Sequence, residues 1–202
     1  DVNINSGIFN LNGELTDVLD LTVSGGATVN LGSDERINDP TTVNILPDGA
    51  LNLNGTETVR SYNSSGTLGL SPGATSGTLL VTESPINLMD GHLSLNGTNL
   101  QNLGGQNPQL TSNGDVVISG TAGTTSEGPD NATINVGALD IETGTLTLNG
   151  LLTNPEGIIN IRPGATLVSG SSNRINGDSS TLNLEAGATW TLGGDDTIGT
   201  FN

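Results

Sequence analysis

Of the 202 residues, 100 are Gly, Thr, Asn or Ser, while Leu, Ile, Val and Phe supply 53, enough apolar side chains for a thin core but not a wide one. The 21 acidic residues against four Arg give a net charge of −17, which repels nucleic-acid phosphates and anionic lipid headgroups. Cysteine is absent and aromatics make up 2%, which removes disulfides, thiolate metal sites and Cys nucleophiles and leaves little for stacking-based ligand sites.

In chain order, one phrase recurs: glycine, then apolar residues at alternate positions, then glycine. It reads GIFNLNG from Gly7, GATVNLG from Gly26, GALNLNG from Gly49, GHLSLNG from Gly91, GDVVISG from Gly114, GTLTLNG from Gly144, GATLVSG from Gly164 and GATWTLG from Gly187. The leading glycines lie 19, 23, 42, 23, 30, 20 and 23 residues apart, so the underlying period is about 21, with 42 counting as two units. Alternation over five positions between glycines predicts a short strand with one buried face.

A second run precedes several of these strands: VNI at Val43 to Ile45 before PDG, INI at Ile159 to Ile161 before RPG, and LNL at Leu182 to Leu184 before EAG. These tripeptides end in Gly, as turns that need a positive φ do. A third apolar point follows at Val18, Ile37, Val59, Ile175 and Ile198. Three strands in about 21 residues cannot close a core alone, but stacked units can. The prediction is a single all-β domain over residues 1–202: a single-stranded, right-handed parallel β-helix (β-solenoid) of about nine rungs, roughly 40–45 Å long at the usual strand spacing. Asn52, Asn54, Asn96 and Asn149 occupy matching places and are expected to bond along the rod. Alternation fails near 100–110 and 120–131, which are expected to leave the rungs as loops. DVNINSG and DTIGTFN both read as strand, so the chain is expected to be a segment of a longer fibre, continuing into flanking sequence or a neighbouring copy.

Candidate chemistry is sparse. Asp195 with Asp196, and Asp34 with Glu35, are adjacent carboxylates that would point to opposite faces of a strand and read as solvated turn acids rather than an acid–base pair. His92 has no Cys, His or Asp ligand pattern around it and reads as surface decoration. Arg36, Arg60 and Arg174 share a phase in DERIND, TETVRS and SNRING and are expected to neutralise neighbouring carboxylates, with a glycan-binding stripe as the sharper alternative. The threonines of GTLTLNG and GATWTLG suggest a regular Thr array of the ice-binding kind, interrupted too often by Asn, Ser or Val. Asn54, Asn63, Asn96 and Asn131 head formal glycosylation sequons that such a composition produces by chance. No catalytic, cofactor-binding or metal-ligating residue is assigned. Calcium is the one cofactor that the acidic turns leave open.

GATWTLGGDDTIGTF at Gly187 to Phe201, with looser copies in GATLVSGSSNRING and GATVNLGSDERIND, resembles the glycine-bounded strand repeat of autotransporter passenger domains. More broadly the chain resembles the β-helical shafts of autotransporter and filamentous-haemagglutinin-type bacterial adhesins. That resemblance implies secretion to the bacterial cell surface and a non-enzymatic structural or adhesive role in adhesion, biofilm or cell–cell cohesion, including end-to-end fibre assembly. The implied partners are neighbouring repeats or copies of the same protein, or host or cell-surface glycans or proteins; no nucleic acid is expected, and no direct membrane insertion in this segment. The competing reading is a polysaccharide-binding or polysaccharide-degrading β-helix module.

Overall fold

The computed structural model describes the chain except for residues 84–85, 90, 95–97, 103–108, 113–115, 120–132, 136–137, 149–150, 154–156, 171 and 173. Strands of three to five residues bury too little apolar surface to stand alone. The chain meets this by winding, so that each strand pairs in parallel with strands one turn away. The molecule is a parallel β-solenoid, and no helix forms among the described residues.

Three faces result. The first carries Val2–Ile4, Asp20–Val23, Thr42–Ile45, Ser61–Ser64, Ile86–Leu88, Gln109–Ser112, Ala138–Ile141 and Ile158–Ile161 in that order. The second is a 9-stranded sheet that begins with Gly7–Leu11, Ala27–Leu31 and Ala50–Leu53 and ends with Thr145–Leu148, Thr166–Ser169 and Thr189–Leu192. The third runs from Gly55–Val59 through Gly77–Val81, Asn99–Asn102 and Thr133–Asn135 to Leu151–Thr153. Ile175–Leu184 pairs with Leu151–Thr153 near one end and Ile158–Ile161 near the other, joining the first and third faces into one 15-stranded sheet.

Alternation puts every second residue inside. Leu21, Val23, Val43 and Ile45 from the first face, Val29, Leu31, Leu51 and Leu53 from the second, and Ile37, Val59 and Val81 from the third are buried in one continuous core. Each such side chain contributes about 1.5–3 kcal/mol relative to exposure. The core is therefore a set of apolar columns one side chain deep.

The corner between the first and second faces is a repeated β-turn. Ala27, Gly49, Ala165 and Ala188 N–H groups donate to the carbonyls of Ser24, Leu46, Arg162 and Glu185 at 3.0, 2.9, 3.0 and 2.9 Å. The third turn residue lies in the left-handed region at Gly26, Gly164 and Gly187, as type II turns require. The PDG turn departs from expectation: Asp48, at φ 63, takes the left-handed position instead of Gly49. Asp tolerates that region better than most residues. Gly49 is needed for space, since a Cβ there would stand 2.7 Å from the Val23 carbonyl oxygen.

The excursion expected near 100–110 is flanked by Asn99–Asn102 and Gln109–Ser112, strands in parallel ladders, and residues 103–108 between them lie outside the described residues. The one expected near 120–131 lies outside the described residues.

Candidate functional site

The outward side of the first face carries a column of carboxamides. Parallel pairing in constant register superposes Thr22, Asn44, Asn63, Asn87, Thr111, Asp140, Asn160 and Asn183. Where an Asn follows another in the column, its Nδ2 donates to the Oδ1 of the preceding turn: Asn63 to Asn44 and Asn87 to Asn63 at 2.8 Å. A second run links Asn160 to Asp140 at 2.9 Å, Asn183 to Asn160 at 2.8 Å and Asn202 to Asn183 at 2.9 Å. The middle letters of VNI, INI and LNL are the signal for this column. The stacking expected of Asn52 also occurs, on the second face, where Asn52 donates to Asn30 and Asn30 to Asn10 at 2.8 and 2.9 Å. Asn54 leaves the ladder and donates to the Gly32 carbonyl at 2.8 Å. Asn96 and Asn149 lie outside the described residues.

The acidic candidates are engaged between turns. Asp34 Oδ1 accepts from the Thr56 N–H, and Glu35 Oε1 accepts from Thr58 Oγ1 at 2.9 Å. Asp196 Oδ1 accepts from the N–H groups of both Arg174 and Ile175, at 2.7 and 3.0 Å. Asp195 is exposed, and its N–H donates to Ser172 Oγ at 3.2 Å. Neither adjacent pair converges on a common point; each aspartate or glutamate with a resolved bond reaches a neighbouring turn instead.

Glu57 repeats the Asp196 arrangement inside the core. Its Oε2 and Oε1 accept from the Arg36 and Ile37 N–H groups at 2.8 and 2.7 Å, where the third face has only an isolated Leu15–Ile37 bridge and no strand to pair with. Burial pushes its carboxyl up from 4.5 to about 7, outweighing the two backbone N–H bonds that favour the anion; the Glu35 charge adds to the rise. Glu57 was not singled out in sequence, although its phase, two residues before Val59, matches that of Asp196 before Ile198. Each carboxylate caps an Arg-Ile-Asn turn one rung earlier.

The arginines behave individually. Arg36 donates to the backbone carbonyls of Asp34 and Asn12 at 2.9 and 3.3 Å, so its resolved hydrogen bonds go to main chain rather than to acids. Arg60 lies 3.9 Å from Glu83 and donates to Thr42 Oγ1 at 2.6 Å. Arg174 is buried and donates Nε–H to the Ser172 carbonyl at 3.2 Å. Among the described residues, Arg162, which the sequence motifs did not single out, meets three acids: Asp140 at 3.0 Å, Glu185 at 2.7 Å and Glu142 at 3.8 Å. These acids come from the preceding and following turns and hold the guanidinium pKa above its ordinary range, the hydrogen bond that Arg162 donates to Glu185 being the largest cause.

His92 sits on the second-face strand Gly91–Ser94, paired with Val117. Of the sequon asparagines, Asn54 and Asn63 commit their carboxamides to other turns, whereas Asn96 and Asn131 lie outside the described residues. The threonine array is short: Thr145, Thr166 and Thr189 stack in register, but the neighbouring column alternates Thr147, Val168, Thr191. Among the described residues, no three His, Cys, Asp or Glu gather in a metal-holding cluster, and no helix is long and apolar enough to cross a membrane.

Beyond the second face, an open polar cleft of about 320 Å³ is lined by Asn10, Asn12, Asn30, Asn54 and Ser71, with Leu31, Gly32 and Pro72 completing its walls. Comparison with known proteins brings no counterpart: no family model, no curated protein and no solved structure matches the chain.

Proposed function

We propose that this chain is a structural shaft: a single right-handed β-helix of about nine rungs, forming part of a secreted bacterial surface protein that projects or coheres rather than catalyses. The observation that carries this reading is the direction in which the polar groups are spent. Asn63 and Asn160 bond along the rod axis from turn to turn, and Asp34, Glu35, Glu57 and Asp196 do the same. Such bonds resist bending and shear between turns and leave these acids no shared target. The resemblance of GATWTLGGDDTIGTF to autotransporter passenger repeats points to the cell surface and to roles in adhesion, biofilm or cell–cell cohesion, with copies of the chain or surface glycans and proteins as partners. The acidic skin discourages lateral sheet pairing of unrelated chains.

The test is display of the chain on cells that otherwise do not aggregate. Displaying cells should settle or adhere faster than non-displaying controls, and the purified chain should release no reducing sugar from acidic or neutral polysaccharides. Sugar release that is lost in Asp196→Asn or Asp34→Asn while the fold is retained would replace the shaft with the polysaccharide-degrading alternative.

A further inference from the structure

The polar cleft combines three properties not explained by a shaft. Its lining carries no charged side chain, although the chain as a whole has a net charge of −17. Its carboxamides retain unused hydrogen-bonding capacity. Asn10 Oδ1 accepts from Asn30 at 2.9 Å, which leaves Asn10 Nδ2 to donate; Asn54 Nδ2 donates to the Gly32 carbonyl at 2.8 Å, which leaves its Oδ1 to accept. Among the described residues, the Asn12 side chain has no partner. By contrast, Asn30 both donates to Asn10 and accepts from Asn52 and belongs to the ladder. The third property is steric: a Cβ on Gly32 would stand 2.6 Å from Asn12 Oδ1 and 3.2 Å from the Leu11 carbonyl oxygen, so glycine at this position leaves the Asn12 carboxamide its place in the cleft.

We infer that this cleft binds a neutral saccharide. A sugar hydroxyl both donates and accepts, and vicinal hydroxyls present alternating donors and acceptors to Asn10 Nδ2, Asn12 and Asn54 Oδ1. A carboxylated sugar meets no cationic side chain in the lining, Arg36 beside it being committed to the Asn12 carbonyl at 3.3 Å, and the net charge of −17 opposes an anion. The volume is at the lower end of ligand pockets, about 300–1,000 Å³, and no aromatic platform lines it, so the complex is weak, with Kd in the range of about 1–10 mM. The site belongs to the first turns of the second face and does not depend on the shaft assignment.

The experiment is side-chain amide NMR of the full chain titrated to about 20 mM, about twice the high end of that Kd range, with neutral trisaccharides of glucose, galactose and mannose, and with galacturonate trimer as the charged arm. At least one neutral sugar should shift the Asn10, Asn12 and Asn54 amide signals, and galacturonate should not. Asn12→Ala, an exposed residue outside every ladder, should weaken binding at least tenfold with an unchanged melting temperature, and Gly32→Ala should also weaken binding by displacing the Asn12 carboxamide. The proposal is overturned if no neutral sugar moves these signals, if galacturonate moves them equally, or if both variants bind as the parent does. Any of those results leaves the cell-aggregation test standing on its own.

Discussion

Glu57 is the residue at which burial and hydrogen bonding conflict most sharply. Its carboxylate replaces a missing strand by accepting two backbone N–H groups, yet it lies 1% exposed in an apolar core. Because its carboxyl is raised from 4.5 to about 7 in the folded chain, the native state binds this proton more tightly than the unfolded state does. Stability therefore falls as pH rises from about 4.5 to about 7 and is flat with respect to this group above that, a total of about 3 kcal/mol at most. Urea unfolding at about pH 5 and about pH 8 should show the loss, and Glu57→Gln should reduce the difference between the two pH values. The difference between parent and variant isolates Glu57 from the general repulsion of a chain with net charge −17, which has the same sign. An equal pH difference in both proteins would refute the assignment. Removal of the carboxylate altogether, in Glu57→Ala, should cost about 2–4 kcal/mol at acid pH, because two buried N–H groups lose their acceptor, and less at neutral pH, where the parent has already lost the stability linked to the Glu57 proton.

At the scale of the element, much of the solenoid was legible. GALNLNG and GTLTLNG announce their strands through glycine bounds and strict alternation, and Ile37, Val59 and Ile175 mark the third face by phase. What was missed lies in long-range pairing. The turn that an acid will reach depends on which residue is superposed one rung away, so Asp195 and Asp196 read as neighbours while the working pair is Asp196 with Arg174–Ile175. Likewise, Glu57 hides in TETV because a charge at an inward phase looks like a break in the pattern rather than a cap. The Asn column has a further rule that only the register supplies. Each carboxamide donates backward, so an acid fits only at the first place of a run, and Asp140, preceded by Thr111, occupies such a place. Asn160→Asp would set two carboxylates 2.9 Å apart in place of a donor and an acceptor, although Arg162 also touches Asp140. It should cost about 2 kcal/mol or more at neutral pH, and less once pH falls below the carboxylate range. Asn202→Ala removes one exposed bond at the end of the column and should cost about 0.5 kcal/mol or less. Thermal melts of the two variants would rank them, and equal destabilisation would mean that the column is ornamental.

For the whole molecule, the balance is set by thin packing against strong self-repulsion. Apolar columns one side chain deep hold together a chain in which 21 acids face four arginines. Salt screens exposed charges over a Debye length of about 10 Å at 0.1 M, roughly two rungs of a solenoid, so added salt should relieve repulsion both within and between turns. Individual surface ion pairs are worth only about 0–1 kcal/mol and are screened as well, but they are outnumbered. The melting temperature should therefore rise between about 20 mM and about 500 mM NaCl, opposite to what a rod held by its ion pairs would do. Arg162 is the sharpest local case among the described residues, since it stands between Asp140 and Glu142 on the preceding turn and Glu185 on the following one. Arg162→Gln leaves those acids facing one another, so its melting temperature should fall by several degrees at low salt and recover most of the loss at high salt. If the parent melts lower as salt increases, the Arg162 network outweighs the repulsion of all the other acids, and the ion pairs rather than the apolar columns limit the stability of the rod.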